Sequence, residues 1–200
     1  LLRMALLGFL VFAIAGPFLD LDLPRAFGSR PPRDVVFVLD GSASMTATDP
    51  SGAKTPEDKG KEWIQEFVNN LSAEDEVGLL LAKDVVQPVV GSLSRDRTRI
   101  REQLQSLSAP SGTANWPQAI KDAFAILEKS QKQRREIILL SDNQKHGWAD
   151  PDTMFRWELL GHELGLNRRD YNPTIPRIYS VNLASEREAA PPNYGLAPLV

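Results

Sequence analysis

The chain has no cysteine. That absence excludes disulfide scaffolds, thiolate metal sites and thiol nucleophiles, and it leaves the redox compartment open. Histidine is nearly as scarce, since His146 and His162 are the only two, too few for a multi-histidine zinc site. Basic excess is missing as well. Lys and Arg number 23 against 26 Asp and Glu, a net charge of −3, which offers no electrostatic footprint for nucleic acid. Glycine (13) and proline (15) are too few for a collagen-like or low-complexity chain. What remains is ordinary globular usage, 42% hydrophobic and 24% charged over 200 residues. That is room for one domain with some extra chain.

The chain opens on Leu1 and closes on Leu199-Val200 without an end signal, as expected of a piece of a longer protein. Residues 4–19 (MALLGFLVFAIAGPFL) carry no charge, and Arg3 alone separates them from Leu1-Leu2. A membrane span takes about 20 apolar residues, with a range of roughly 17–25. The run reaches that length if the preceding chain belongs to it, and a transmembrane helix is the preferred reading. A signal segment cleaved at Ala13-Ile14-Ala15 competes with it, as does a helix wrapped in protein on every side. Arg3 before the run and Arg25, Arg30 and Arg33 after it give no clean positive-inside answer. Residues 20–33 mix proline and arginine without periodicity and are expected to be a linker. A domain over 34–184 follows, and 185–200 (beginning SEREAAPP) read as a second linker and the start of something further.

Within the domain the element types alternate. Residues 34–40 (DVVFVLD) and 136–140 (EIILL) are short, continuously apolar runs, the pattern of strands buried on both faces. A third such run is expected over 178–183 (IYSVNL). Residues 77–82 and 85–90 predict a hairpin turning at Lys83-Asp84. Trp63, Ile64, Phe67, Val68 and Leu71 share one face of a helix over 56–71, and Ile100, Leu104 and Leu107 stripe another over 94–107. Asn115-Trp116-Pro117 starts a third, with Asn as N-cap and Pro in the first turn, and 151–166 reads as a fourth. The fold class is therefore α/β: a doubly wound, mostly parallel sheet with one antiparallel edge strand and helices on both faces.

In such sheets ligands bind beyond the carboxyl ends of the strands, where strand order reverses. The first strand runs into Asp40, Ser42 and Ser44, and the second into Ser141 and Asp142. The loop before the Asn-capped helix reads Ser111-Gly112-Thr113. Carboxylates and hydroxyls thus gather at one edge, a donor set that suits a hard cation.

Asp40-x-Ser42-x-Ser44 after a buried strand, the Gly112-Thr113 loop and the strand-terminal Asp142 resemble the von Willebrand factor type A domain. In that family these positions form the metal-ion-dependent adhesion site. The resemblance implies that Ser42, Ser44 and Thr113 bind Mg²⁺ (with Mn²⁺ and Ca²⁺ as alternatives) through their hydroxyls. Asp40 and Asp142 would hold it mainly through waters, and a protein partner would complete the sphere with an acidic side chain. Asn143 stands where the family often has glycine. The likeness runs from residue 34 to about 183, and the family's usual further strand and terminal helix are unmatched, which favours a shortened version. An apolar span, a linker and this domain together also resemble membrane-anchored bacterial Bat (aerotolerance) proteins, with the domain on the periplasmic or outer side. Ser141-Asp142-Asn143-Gln144 with Trp148 is similar to related bacterial envelope versions.

Other constellations fall away. His162-Glu163 lacks the second histidine of H-E-x-x-H, because Leu166 stands there, and is read as a helix-surface pair. Gly41-Ser42-Ala43-Ser44 is not a nucleophile elbow. Trp116 and Trp148 are assigned to packing rather than to a ligand rim, and Arg134-Arg135 to a solvated helix end. The leading function is non-enzymatic, a membrane-tethered module recruiting a protein through a bound cation. The alternative is a metal-dependent hydrolase using Asp40 and Asp142, but metal catalysis wants a positioned water and a base, and only His146 offers itself.

Overall fold

The computed structural model describes residues 31–47, 54–145, 147–165 and 175–184. The apolar run at 4–19, the linker up to residue 30, His146 and the segment from 185 onward lie outside them. In chain order the elements are β1 (Arg33–Asp40), a 3₁₀ turn (Ala43–Thr46), α1 (Pro56–Asn69), β2 (Glu76–Ala82) and β3 (Gln87–Ser94). Then come α2 (Arg97–Gln105), α3 (Trp116–Glu128), β4 (Arg134–Ser141), α4 (Pro151–Glu163) and β5 (Arg177–Asn182).

The sheet order is β3-β2-β1-β4-β5, parallel throughout except for β3 against β2. The chain winds outward from β1 to β3, returns to lay β4 beside β1, and winds outward again to β5. Strand order therefore reverses between β1 and β4. That is where an open α/β sheet leaves a crevice at its carboxyl edge.

Side chains alternate along a strand, so a continuous apolar run feeds two cores at once. Val35, Phe37 and Leu39 join Leu79, Leu81, Ile138 and Leu140 in one core, capped by Ile64 and Val68 of α1 and Ile100 and Leu104 of α2. Val36 and Val38 join Leu80, Ile137 and Leu139 in the other, against Ala119, Ala123 and Leu127 of α3 and Leu160 of α4. Phe37 is fully buried at the register position between Leu79 and Ile138, with Trp63 and Phe67 edge-on to its ring at 6.2 and 5.3 Å.

Local signals set the helix starts. Thr55 and Asp58 form a reciprocal capping box at α1, with Pro56 in its first turn. Asp96, Asn115 and Asp150 each accept a backbone N–H at the start of α2, α3 and α4. The Asn115 cap is the one expected from the sequence.

Three expectations need correction. The second hairpin strand begins at Gln87, not Val85, and runs on to Ser94, which delays α2 to Arg97. Val85 is 77% exposed in the turn, and the strand carries Pro88, which an edge position accepts because its outer side needs no ladder donor. The last strand is apolar in sequence but lies at the sheet edge, where Ile178 and Tyr179 are exposed. Arg134 and Arg135 open β4 rather than ending a helix, and Arg134 pairs with Glu136 at 3.0 Å. Among the described residues no helix is long and apolar enough to cross a membrane.

Since Phe37 fills the contact between the central strand and α1, Phe37→Ala should lower the unfolding free energy by about 3–5 kcal/mol in urea titration. Phe155→Ala, at a position 68% exposed on α4, should change it by less than about 0.5 kcal/mol. Equal losses would place the core elsewhere.

Candidate functional site

The alternation that builds the two cores also aims the site. Asp40 follows Val36 and Val38 on the α3 face, and Ser141 follows Ile137 and Leu139 on that same face of the adjoining strand. The Ser141 hydroxyl donates to Asp40 Oδ2 at 2.8 Å, and the Ser42 backbone N–H donates to Asp40 Oδ1 at 2.9 Å. Both carboxylate oxygens are thereby engaged, and Asp40 is only 3% exposed. Burial pushes its carboxyl above the usual range, and the nearby charge of Asp142 adds to the rise. The bonds from Ser42 and Ser141 act the other way.

The chain then turns over the strand end. The Ser42 and Ser44 hydroxyl oxygens lie 3.0 Å apart, hydrogen-bonded to each other, with Met45 buried beneath. Gly41 makes the close passage possible: a Cβ there would meet the Lys83 side chain at 2.7 Å and the Ala82 carbonyl at 3.1 Å. Its N–H donates to that carbonyl at 2.8 Å.

A second loop, between α2 and α3, is fastened against this turn. Ser111 N donates to the Gly41 carbonyl at 2.8 Å, and Ala43 N to the Gly112 carbonyl at 3.1 Å. Lys83, buried at the end of β2, donates to Ser108 Oγ at 3.1 Å and to the Ala109 carbonyl at 2.6 Å. Thr113 is thus brought to the same edge as Ser42 and Ser44. Its hydroxyl, however, donates to Asp84 Oδ1 at 2.6 Å, and its N–H reaches the same oxygen at 3.1 Å. Those two bonds hold the exposed Asp84 carboxyl below its usual range.

The third loop follows β4. Asp142 accepts the Gln144 N–H at 3.3 Å, and Asn143 N donates to Ser141 Oγ at 3.0 Å. Asn143 adopts φ 56°, the left-handed conformation that glycine supplies freely and asparagine tolerates better than other side chains. The departure from the resembled family's glycine therefore keeps the backbone path. Trp148 stacks on the buried Trp116 at 4.4 Å, and Trp157 donates its Nε1–H to the Trp148 carbonyl at 3.0 Å. These indoles pack the loop onto α3 rather than lining a rim.

Of the five residues singled out from the sequence, the structure links Asp40, Ser42 and Ser44 directly, and sets Asp142 close enough to act on Asp40 electrostatically. Thr113 joins them through its backbone loop. Sequence reasoning missed three participants. The sequence pattern gives Ser141 no part in the site and marks Lys83 and Asp84 only as turn residues. The only signal for the last two was their place in the hairpin turn beside the first strand's end.

The donor set is all oxygen. Among the described residues no cluster of three or more His, Cys, Asp or Glu side chains is placed to hold a metal on its own, so any cation here depends on hydroxyls. Two oxygens 3.0 Å apart match adjacent corners of an octahedron whose bonds are about 2.1 Å long. The residues present fit a small hard cation.

Residues 35–145 match the family model of the von Willebrand factor type A domain. Among curated proteins, none matches the chain. Structures similar to it include the PilB minor pilin from Streptococcus sanguinis, with 19% identity and a TM-score of 0.52 over 57% of this chain and 30% of that one. BatB from Bacteroides thetaiotaomicron is similar at 20% identity and TM-score 0.51, over 74% of this chain and 64% of that one. An aerotolerance-related membrane protein from Bacteroides fragilis is similar at 21% and 0.51, over 65% and 62%. The chain spans less than two thirds of the length of each, and at these identities the likeness carries the fold alone. The family match covers more than half of the 200 residues and includes the turn after β1, the loop before α3 and the end of β4; the chain belongs to the von Willebrand factor type A domain family.

Proposed function

We propose that this domain is a binding module that captures an acidic side chain of a protein partner through a divalent cation, Mg²⁺ in the first instance, at the β1–β4 edge. The observation that carries the reading is the Ser42–Ser44 hydroxyl pair, 3.0 Å apart above a buried Asp40 whose own oxygens are already engaged. Ser42, Ser44 and Thr113 would hold the ion through hydroxyls, and Asp40 and Asp142 through waters. A cation bound there supplies a positive centre that accepts a carboxylate oxygen. Neutral hydroxyls in direct contact cancel none of its charge, so a partner's Glu or Asp gains a charge-assisted contact that a neutral side chain does not. Members of this family generally mediate protein–protein interaction, which agrees with capture rather than turnover.

The hydrolase reading has less support. Metal catalysis takes a base as well as an ion, and the two carboxylates at this edge, Asp40 and Asp142, are already assigned to the waters of the cation. The apolar run at residues 4–19 would tether the module to a membrane, with the domain on the periplasmic or outer side of a bacterial envelope.

Calorimetry or Mn²⁺ titration of the chain should show one divalent cation per molecule, abolished in Asp40→Ala, with no hydrolysis of phosphate or peptide substrates. Equal affinity in wild type and variant would remove the site assignment. Pull-downs from bacterial envelope extracts should recover the same partner with Mg²⁺ and lose it with EDTA or with Thr113→Ala, the fold of each chain being checked by circular dichroism. Capture that is indifferent to all three conditions would mean the partner does not use the metal. The expressed chain should stay with membranes through carbonate washing, whereas a soluble form beginning at Gly16 would identify a cleaved signal segment.

A further inference from the structure

We propose that Asp84, in the turn between β2 and β3, is the positioning residue for the Thr113 hydroxyl, directing its proton away from the metal site. The inference rests on the metal-binding reading above and adds a fourth loop to it. A hydroxyl has one proton and two lone pairs, and it serves a cation only if the proton is given to an acceptor elsewhere. Ser42 and Ser44 share one bond at 3.0 Å, which takes the proton of one of them. Thr113 has Asp84 Oδ1, at 2.6 Å from its Oγ1 and 3.1 Å from its N.

Those two bonds to one carboxylate oxygen fix both the backbone and the rotamer of Thr113. The lone pairs of Oγ1 are left for another ligand, and their electron density is raised by a charged acceptor. This is the way outer partners tune and orient groups that touch a metal.

The surroundings are shaped for the contact. Gly112 has φ +67°, and a Cβ on it would fall 2.2 Å from Asp84 Oδ2, so the carboxylate rests where only a glycine backbone leaves room. The turn carrying Asp84 is itself anchored to the site. Ala82 lies opposite Asp40 in the β1–β2 register, and its carbonyl accepts from Gly41 N. The Lys83 carbonyl accepts from Asn115 N at 3.1 Å, two residues beyond Thr113. Asp84 is exposed and makes no ion pair among the described residues, so its recorded bonds are spent on this loop.

The test is Mn²⁺ titration of the full chain, read by loss of the free-ion paramagnetic resonance signal, with amide hydrogen exchange of the metal-free protein beside it. Asp84→Ala should weaken binding by roughly 10- to 100-fold, as for other outer-shell partners. Asp84→Asn, which keeps an acceptor oxygen, should recover most of that loss. Asp84→Ala combined with Thr113→Val should be no weaker than Thr113→Val alone, because the two act through one contact. In the metal-free protein, Asp84→Ala should speed exchange at the Thr113 amide while thermal unfolding stays unchanged.

Unchanged or tighter Mn²⁺ binding in Asp84→Ala would overturn the proposal. So would equal losses in Asp84→Asn and Asp84→Ala that add to Thr113→Val and fade with salt, the behaviour of a distant screened charge. A wild-type chain that binds no Mn²⁺ would overturn the metal reading itself, an outcome distinguishable from both.

Discussion

A carboxylate at the mouth of an apolar sheet is stable only where donors replace the water it has lost. Asp40 sits at the end of the most deeply buried strand, and its two donors come from different places: Ser42 N from its own turn, and Ser141 Oγ from the neighbouring strand. The second bond exists because β1 and β4 run parallel in a register that continues from Leu39 beside Leu140. Both residues face α3 because the alternation of Val36, Val38, Ile137 and Leu139 has already set the parity. The core and the candidate site are therefore one arrangement. A one-residue slip of β4 would send Ser141 to the other face and leave Asp40 short of a partner.

The opposite end of the sheet handles charge differently. There Arg33 reaches Glu136 at 3.0 Å and donates its backbone N–H to Asp75 at 2.9 Å, while the buried Asp34 is held by Lys132 and Ser130. Each buried acid at that end has a cationic partner within the fold. Breaking such a pair leaves an uncompensated charge, which makes these contacts sensitive to mutation without making them a source of net stability. At the carboxyl end Asp40 has hydroxyl and amide donors but no recorded cationic side chain among the described residues. The buried cation at that end, Lys83, is given to Ser108 and the Ala109 carbonyl instead.

Much of this was legible in the sequence, for reasons that particular residues make plain. DVVFVLD and EIILL read as central strands, since short β-branched or aliphatic runs without a polar face suit burial on both sides. Asn115 before Trp116-Pro117 marked a helix start whose preceding loop had to lie at the strand ends. The misreadings arose where apolar character was taken for burial. Val85 and Ile178 look like core in one dimension, yet one lies in a turn and the other on an edge strand. Asp84 and Lys83 were beyond reach for another reason. Their partners, Thr113 and Ala109, lie more than 25 residues away, and the two stretches meet because β2 pairs with β1 and the 111–112 backbone bonds to the turn after β1.

The hairpin turn thus supplies what a motif of three serine and threonine hydroxyls leaves unsettled. Carboxylates carry lone pairs in any orientation, so a cage of Asp and Glu needs little outside help to face a cation. Hydroxyls differ, because each presents a proton or a lone pair depending on what else it can donate to. In the proposed cation site, Ser42, Ser44 and Thr113 would keep their neutral character, and with it the pull on an incoming acid, only if those protons have fixed destinations. The serines share one bond between them, which satisfies a single proton. Thr113 has an anionic acceptor outside the donor set, on a turn pinned to the Asp40 strand by the Gly41–Ala82 bond. The charge that orients the hydroxyl therefore stays beside the donor set, where it fixes the direction of the lone pairs while leaving the hydroxyl itself neutral.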